Sequence, residues 1–115
     1  MKKFAKFNIA TIPQEEAHGG SGKRQVLVRP EHLTTPHFDM MTKGYLAPGS
    51  SYDWHEHQNV DEIFIVLKGQ GKFYWEEEVV DYAIGDIITT PANTKHKITA
   101  EGDTDSEFYF IRVKV

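Results

Sequence analysis

A chain of 115 residues, 39% hydrophobic and 26% charged, has the length and composition of one globular domain with a real core. Its net charge of −4 argues for solubility and against a nucleic-acid-binding surface. It has no cysteine, which excludes a disulfide framework, a thiolate zinc site and a cysteine nucleophile, so any metal must be held by imidazole and carboxylate.

In chain order, Met1-Lys2-Lys3 has the basic look of an export signal, but Lys6, Asn8 and Thr11 interrupt the apolar residues that follow. The longest apolar run, Ile63 to Leu67, is far too short to span a bilayer. The expectation is a cytoplasmic protein with neither membrane nor nucleic acid as partner. Helical patterning is nearly absent. Instead, segments rich in Val, Ile, Phe, Tyr and Thr alternate with Gly, Pro, Asn and Asp.

The predicted strands are Phe4–Ile12, Gln25–Arg29, Phe38–Leu46, Tyr52–His57, Glu62–Leu67, Lys72–Asp81, Asp86–Thr89, His96–Ala100 and Glu107–Val115. Ala47-Pro48-Gly49 breaks one strand, and Lys68 to Gly71 and Ile84-Gly85-Asp86 read as tight turns. Such spacing predicts an all-β antiparallel sandwich or barrel, because the connections are too short for crossover helices. The stretch from Ala17 to Lys23 is glycine-rich, yet it lacks the strand-then-helix context and spacing of a phosphate-binding loop.

The chemistry concentrates at His55, His57 and Glu62. Side chains two apart on a strand share a face, so His55 and His57 project together, and Asp53 shares their parity. A tight connection from Gln58 to Asp61 would bring Glu62 back beside them, with Phe64 and Val66 on the same face of its strand as pocket residues. Two imidazoles and a carboxylate suit Fe(II), Mn(II), Ni(II), Cu(II) or Zn(II). His18, His32 and His37 have no partner at ligand spacing and read as structural residues, while Met40 and Met41 read as core filler.

Gly49, His55-Glu56-His57, Glu62 and Gly69 resemble the first cupin motif at every defining position, and Gly85, Pro91, Asn93 and His96 resemble the second. The resemblance implies a single jelly-roll barrel, a double-stranded β-helix of cupin type, spanning residues 1–115, with the motifs at 49–69 and 85–100. It also implies that His55, His57, Glu62 and His96 hold one divalent transition metal inside it. Two positions depart from the pattern. Asn93 stands where glycine is usual, and Asn is the residue that best replaces glycine at positive φ. Ala100 stands where the motif usually ends in Asn, which removes a polar group able to support the site.

Four protein ligands on a six-coordinate ion leave positions for a small molecule, and the resemblance then spans dioxygenase, decarboxylase and isomerase chemistry on a small acid, ketone or sugar. Arg112, Tyr45 and His37 are the candidates for binding a substrate carboxylate or moving a proton. The alternative is a small-molecule-binding or sensor protein whose metal anchors a ligand or is structural. Ile63, Ile65 and Leu67 are apolar although they face away from the ligands, which suggests a covering subunit and a homodimer, as does the resemblance. Trp54 and the alternation in FYWEEEVV are compatible with that, and the strand Phe4–Ile12 is a candidate for exchange between subunits.

Overall fold

The computed structural model describes residues 3–17 and 19–115, so the expectation for His18 lies outside the described residues. Ten strands form: β1 (Glu15–Glu16), β2 (Lys23–Val28), β3 (Phe38–Leu46), β4 (Ser51–His55), β5 (Val60–Lys68), β6 (Gln70–Trp75), β7 (Glu78–Tyr82), β8 (Ile87–Thr90), β9 (His96–Glu101) and β10 (Ser106–Lys114). They make a six-stranded sheet in the order β1-β2-β3-β10-β5-β8 and a four-stranded sheet in the order β4-β9-β6-β7. Each of these pairings is antiparallel. This is the all-β jelly roll that the sequence predicts, with the barrel left open where β7 and β8 end their sheets.

Three predicted elements come out differently. Residues 4–12 are not a strand: Ile9–Thr11 form a 3-10 turn, because the Asn8 side chain accepts from the Ala10 amide and so competes with extended backbone. The Gln25 amide then donates to the carbonyls of Ile9 and Ile12, fixing the segment over β2. An exchanged strand therefore has no counterpart here. The predicted strand Lys72–Asp81 is a hairpin, β6 and β7, turning at Glu76 with φ of 50°. No glycine or proline marks that turn, so the regular alternation hid it.

The third difference is topological. Lys68 to Gly71 is a corner, and not a hairpin, that carries the chain from the six-stranded sheet into the four-stranded one. Gly69 sits at φ of 89°, and a Cβ there would lie 2.4 Å from Ser106 Oγ, so only glycine fits. Ile84-Gly85-Asp86 brings the chain back across, from β7 to β8.

These crossings set two inner faces against each other. On β5, Glu62, Phe64 and Val66 point inward and are buried, while Ile63, Ile65 and Leu67 face outward and are half-buried. On β10 the inner set is Phe108, Phe110 and Arg112, and the outer set is Tyr109, Ile111 and Val113. Phe64 and Phe108 meet edge to face at 5.8 Å, as do Tyr52 and Phe110 at the same separation. Gly44 makes room for that pair, since a Cβ there would come within 2.5 Å of the Tyr52 hydroxyl. Phe108 is fully buried and touches Tyr52, Phe64, Tyr82 and Phe110. Phe108→Ala is expected to cost about 3–5 kcal/mol, read as a lowered urea midpoint with an unchanged slope.

Candidate metal centre

His55 ends β4, His57 follows it, Glu62 lies on β5 and His96 opens β9. β4 and β9 are neighbours in the four-stranded sheet, whereas β5 belongs to the other sheet. The carboxylate therefore meets the imidazoles across the interior of the barrel, and not along one hairpin. β4 also carries a bulge: Tyr52 pairs with Ile98 and His55 with His96, so one extra residue stands on β4. The bulge puts both Tyr52 and His55 on the inner side and turns Asp53 out to solvent, where its carboxylate accepts from Ser51 Oγ. Asp53 thus lies outside the cavity lining, because strict alternation fails at that point.

The ligating atoms of His55, His57 and His96 all lie within 4.8 Å of one another. Ring centroids are 4.2 Å apart for His55 and His96 and 5.0 Å for His55 and His57. Glu62 Oε2 is 3.4 Å from His57 Nε2, and Oε1 is 3.6 Å from His96 Nε2. Those separations exceed a hydrogen bond, and both Nε2 atoms are buried without a hydrogen-bond partner. His55 Nδ1 faces the Asp53 carbonyl at 2.5 Å, and His96 Nδ1 faces the Thr94 carbonyl at 2.9 Å. A carbonyl only accepts, so each Nδ1 carries a proton, and in the neutral imidazole Nε2 is then the atom with a lone pair facing the centre.

The electrostatics agree. Burial raises the Glu62 pKa, yet contacts with His57 and His96 and the charge of Arg112 outweigh it and hold the carboxyl well below its usual range. Arg112 Nε donates to Glu62 Oε2 at 3.0 Å. Burial lowers the pKa of His55; the Asp53 carbonyl opposes this, and the neighbouring imidazoles add to it. Anionic carboxylate and neutral imidazole are the forms a divalent ion requires, so the donor set fits one.

Asn93 adopts φ of 64°, as its replacement of glycine predicts. Its side chain does more than tolerate the turn. Asn93 Oδ1 accepts from the Asn59 amide at 3.1 Å, and the Asn93 amide donates to the His57 carbonyl at 2.9 Å. Asp61 Oδ1 also accepts from the Ala92 amide, so the loop before His96 is fastened to the loop between His57 and Glu62. Ala100 points into the core four residues beyond His96, about 13 Å along the strand, too far to support the ligands directly.

A cavity of about 300 Å³ opens over the centre, lined by the two front histidines His55 and His57, Glu62, Tyr52, Arg24 and Arg112 among others. Arg112 thus stands where a substrate carboxylate could meet it. Phe64 and Val66 lie in the packed core and do not line the cavity. Tyr45 is on the outer face, its hydroxyl donating to Gln25 Oε1, and His37 is exposed ahead of β3; neither lines the cavity. His32 accepts from the Arg29 amide through Nδ1, a structural role as expected. Met40 and Met41 are half-buried on β3 and line no part of this cavity.

Arg24 and Tyr52 escaped the sequence reading. Arg24 pairs with Gly44, which pairs with Phe108, so extending the alternation of β2 back by one residue would have placed it inside. Tyr52 was hidden by the bulge. Burial raises its pKa, so the phenol stays protonated, donating to the Lys23 carbonyl at 2.9 Å. The glycine-rich stretch contributes Ala17 and Gly19 to the cavity wall.

His55 and Glu62, with lowered pKa values, bind protons more readily in the unfolded chain. Metal-free protein should therefore hold its full stability above the ordinary imidazole pKa of 6.5, lose some as pH falls through and below it, and lose more below the ordinary carboxyl value of 4.5. Urea midpoints of chelator-treated protein, taken from about pH 8 down to about pH 4, measure this slope. A flat profile would show that the cluster is not held in these charge states.

A family model described as Cupin domain matches residues 44–112, which include His55, His57, Glu62 and His96. An oxalate-binding protein from Thermotoga maritima is 38% identical over 63 residues, covering 55% of this chain and 52% of that protein. A 5-nitrosalicylic acid 1,2-dioxygenase from Bradyrhizobium is 41% identical over 66 residues, covering 57% of this chain and 31% of that enzyme. The chain thus matches about half the length of the first and a third of the second. The crystal structure of a predicted oxalate decarboxylase from Thermotoga maritima superposes with a TM-score of 0.88 at 26% identity, covering 96% of this chain and all of that one. The polyketide cyclase RemF from Streptomyces resistomycificus shares the fold, with a TM-score of 0.82 at 15% identity, 96% of this chain and 80% of that one. With the family match spanning more than half of the sequence and both motif regions, the chain belongs to the cupins.

Proposed function

We propose that this cupin is a metal-dependent enzyme acting on a small organic acid, with one divalent transition ion held by His55, His57, Glu62 and His96. The observation that carries the proposal is the pair of buried, unpartnered Nε2 atoms of His57 and His96, which face Glu62 beneath an open cavity. When bound, the ion supplies Lewis-acid polarisation of a coordinated carboxylate or carbonyl, and as Fe(II) it also suits oxygen chemistry. Arg24 and Arg112 put two guanidinium groups in the cavity wall, a setting for a substrate carboxylate. Arg112 keeps Glu62 ionised and oriented through its Nε. The Tyr52 ring and Phe110 line the apolar side, which favours a compact or flat substrate and excludes water. The names of the relatives, an oxalate-binding protein and a nitrosalicylate dioxygenase, support a small carboxylate as the ligand class.

A second reading is a binding protein without turnover. It is favoured by the cavity lining, in which Glu56 is the single carboxylate besides Glu62 among the described residues. For either reading, a homodimer formed through the outer face of the six-stranded sheet is part of the proposal. Ile87 is 65% exposed there, beside the half-buried Ile63, Ile65 and Ile111.

Elemental mass spectrometry of untagged protein should find about one equivalent of a first-row transition metal, lost in His57→Ala. Protein that neither contains such a metal nor takes one up would overturn the metalloenzyme. With the ion loaded, Arg24→Ala should weaken oxalate or salicylate binding about tenfold by calorimetry without removing the metal. Consumption of dioxygen or release of carbon dioxide with these acids separates turnover from binding alone.

A further inference from the structure

β7 and β8 end their respective sheets, and the seam between them encloses a second cavity of about 350 Å³, within the range of small-molecule sites. It lies on the far side of His96 from the first. Phe73 stacks on the His96 ring at 5.8 Å and 21°, and Thr90 pairs with Glu62 across β5 and β8, so these two residues wall the seam from the metal centre. Paired positions on β6 and β7 put Phe73 opposite Val80 and Trp75 opposite Glu78 on one face. That face is the inner one, since Phe73 and Tyr82 on it are buried.

At the Tyr82 end, Phe108 covers this face. At the other end β8 stands off across the cavity, and inward-facing Trp75 and Val80 remain 40% and 50% exposed. Apolar side chains on the inner face of a barrel, left in water, gain free energy from any apolar occupant. The charge of the seam narrows the choice. Glu78 is its one charged lining residue, and it makes no hydrogen bond or ion pair among the described residues. Glu76 and Glu77 precede it at the turn, and no Lys, Arg or His lines the cavity. The Thr90 hydroxyl, on a residue 4% exposed in the same wall, is buried without a partner.

We propose that this seam is a second binding site, for a small organic ammonium ion with an aromatic or alicyclic body. The ring packs against Phe73, Val80 and Ile88, and the ammonium lies at the rim between the Glu78 carboxylate and the face of Trp75. Anions are repelled by the rim, which separates this site from the arginine-lined cavity over the metal centre. The site stands independently of the enzyme reading, since none of its lining residues is a proposed metal ligand.

In a Trp54→Phe protein, Trp75 is the single tryptophan and reports directly on the seam. Phenethylammonium should produce a saturable change in its fluorescence, with phenylacetate at least about tenfold weaker. Glu78→Gln should weaken the amine about fivefold, the size of a partly exposed ion pair, and Val80→Phe should abolish binding by filling the space. Amide NMR shifts should centre on Trp75, Val80 and Ile88. Equal affinity for amine and acid, or an unchanged Glu78→Gln, would overturn the proposal. So would shifts centred on Tyr52 and Arg112, which would put the amine in the other cavity. Protein-concentration-dependent broadening of the seam residues without amine would assign the seam to a second copy of the chain and equally overturn it.

Discussion

A carboxylate 2% exposed in a barrel of aromatic rings is the constraint from which the rest follows. Removing an ion of that size from water costs several kcal/mol after relaxation, so Glu62 stays charged only if its surroundings are arranged around it. Arg112 answers from the neighbouring strand of the same sheet, His57 from the loop between β4 and β5, and His96 from the other sheet. One guanidinium cannot satisfy both oxygens along with two imidazole nitrogens. The excess of unpaired lone pairs facing one point is what a bound cation would neutralise.

The jelly roll makes this meeting possible by crossing from the four-stranded to the six-stranded sheet between His55 and Val60. A simple meander would have kept His55 and Glu62 on one sheet, with both groups facing the same way and nothing opposite. Crossing places them on facing walls, and Phe64, Phe108 and Phe110 below them fill the space that water would otherwise occupy. The same apolar floor that stabilises the fold therefore lowers the dielectric at the site and strengthens each charge contact. Burial and chemistry use one set of side chains.

Most of the strands were legible in the sequence because they depend on period two and on glycine punctuation, and the meeting of His55, His57, Glu62 and His96 because these residues stand at the positions of the two cupin motifs. Phe38–Leu46 is reproduced to the residue, and the inward set of β5 follows from alternation alone. What failed did so where alternation carries no information. The bulge on β4 moved Asp53 out and Tyr52 in, because one inserted residue shifts the parity of everything on one side of it. The Glu76 turn lacked glycine, and the N-terminal segment was decided by a cap at Asn8 that apolar content outweighed in the reading. Gly69 was read as a turn but not as a corner, since a local signal marks where a chain bends and not which sheet it enters. Arg24 lay one residue ahead of the predicted strand, so the alternation was not carried back to it.

The clasp between Asn93, Asn59 and His57 also bears on time as well as structure. It joins positions 34 residues apart, and the clustered side chains themselves come from three strands in two sheets and one connecting loop. Local chain contacts cannot assemble such a set, so the binding geometry arises only once the long-range pairing of the barrel is complete. Unfolding of the barrel would scatter the four side chains, so the cluster exists only in the folded chain.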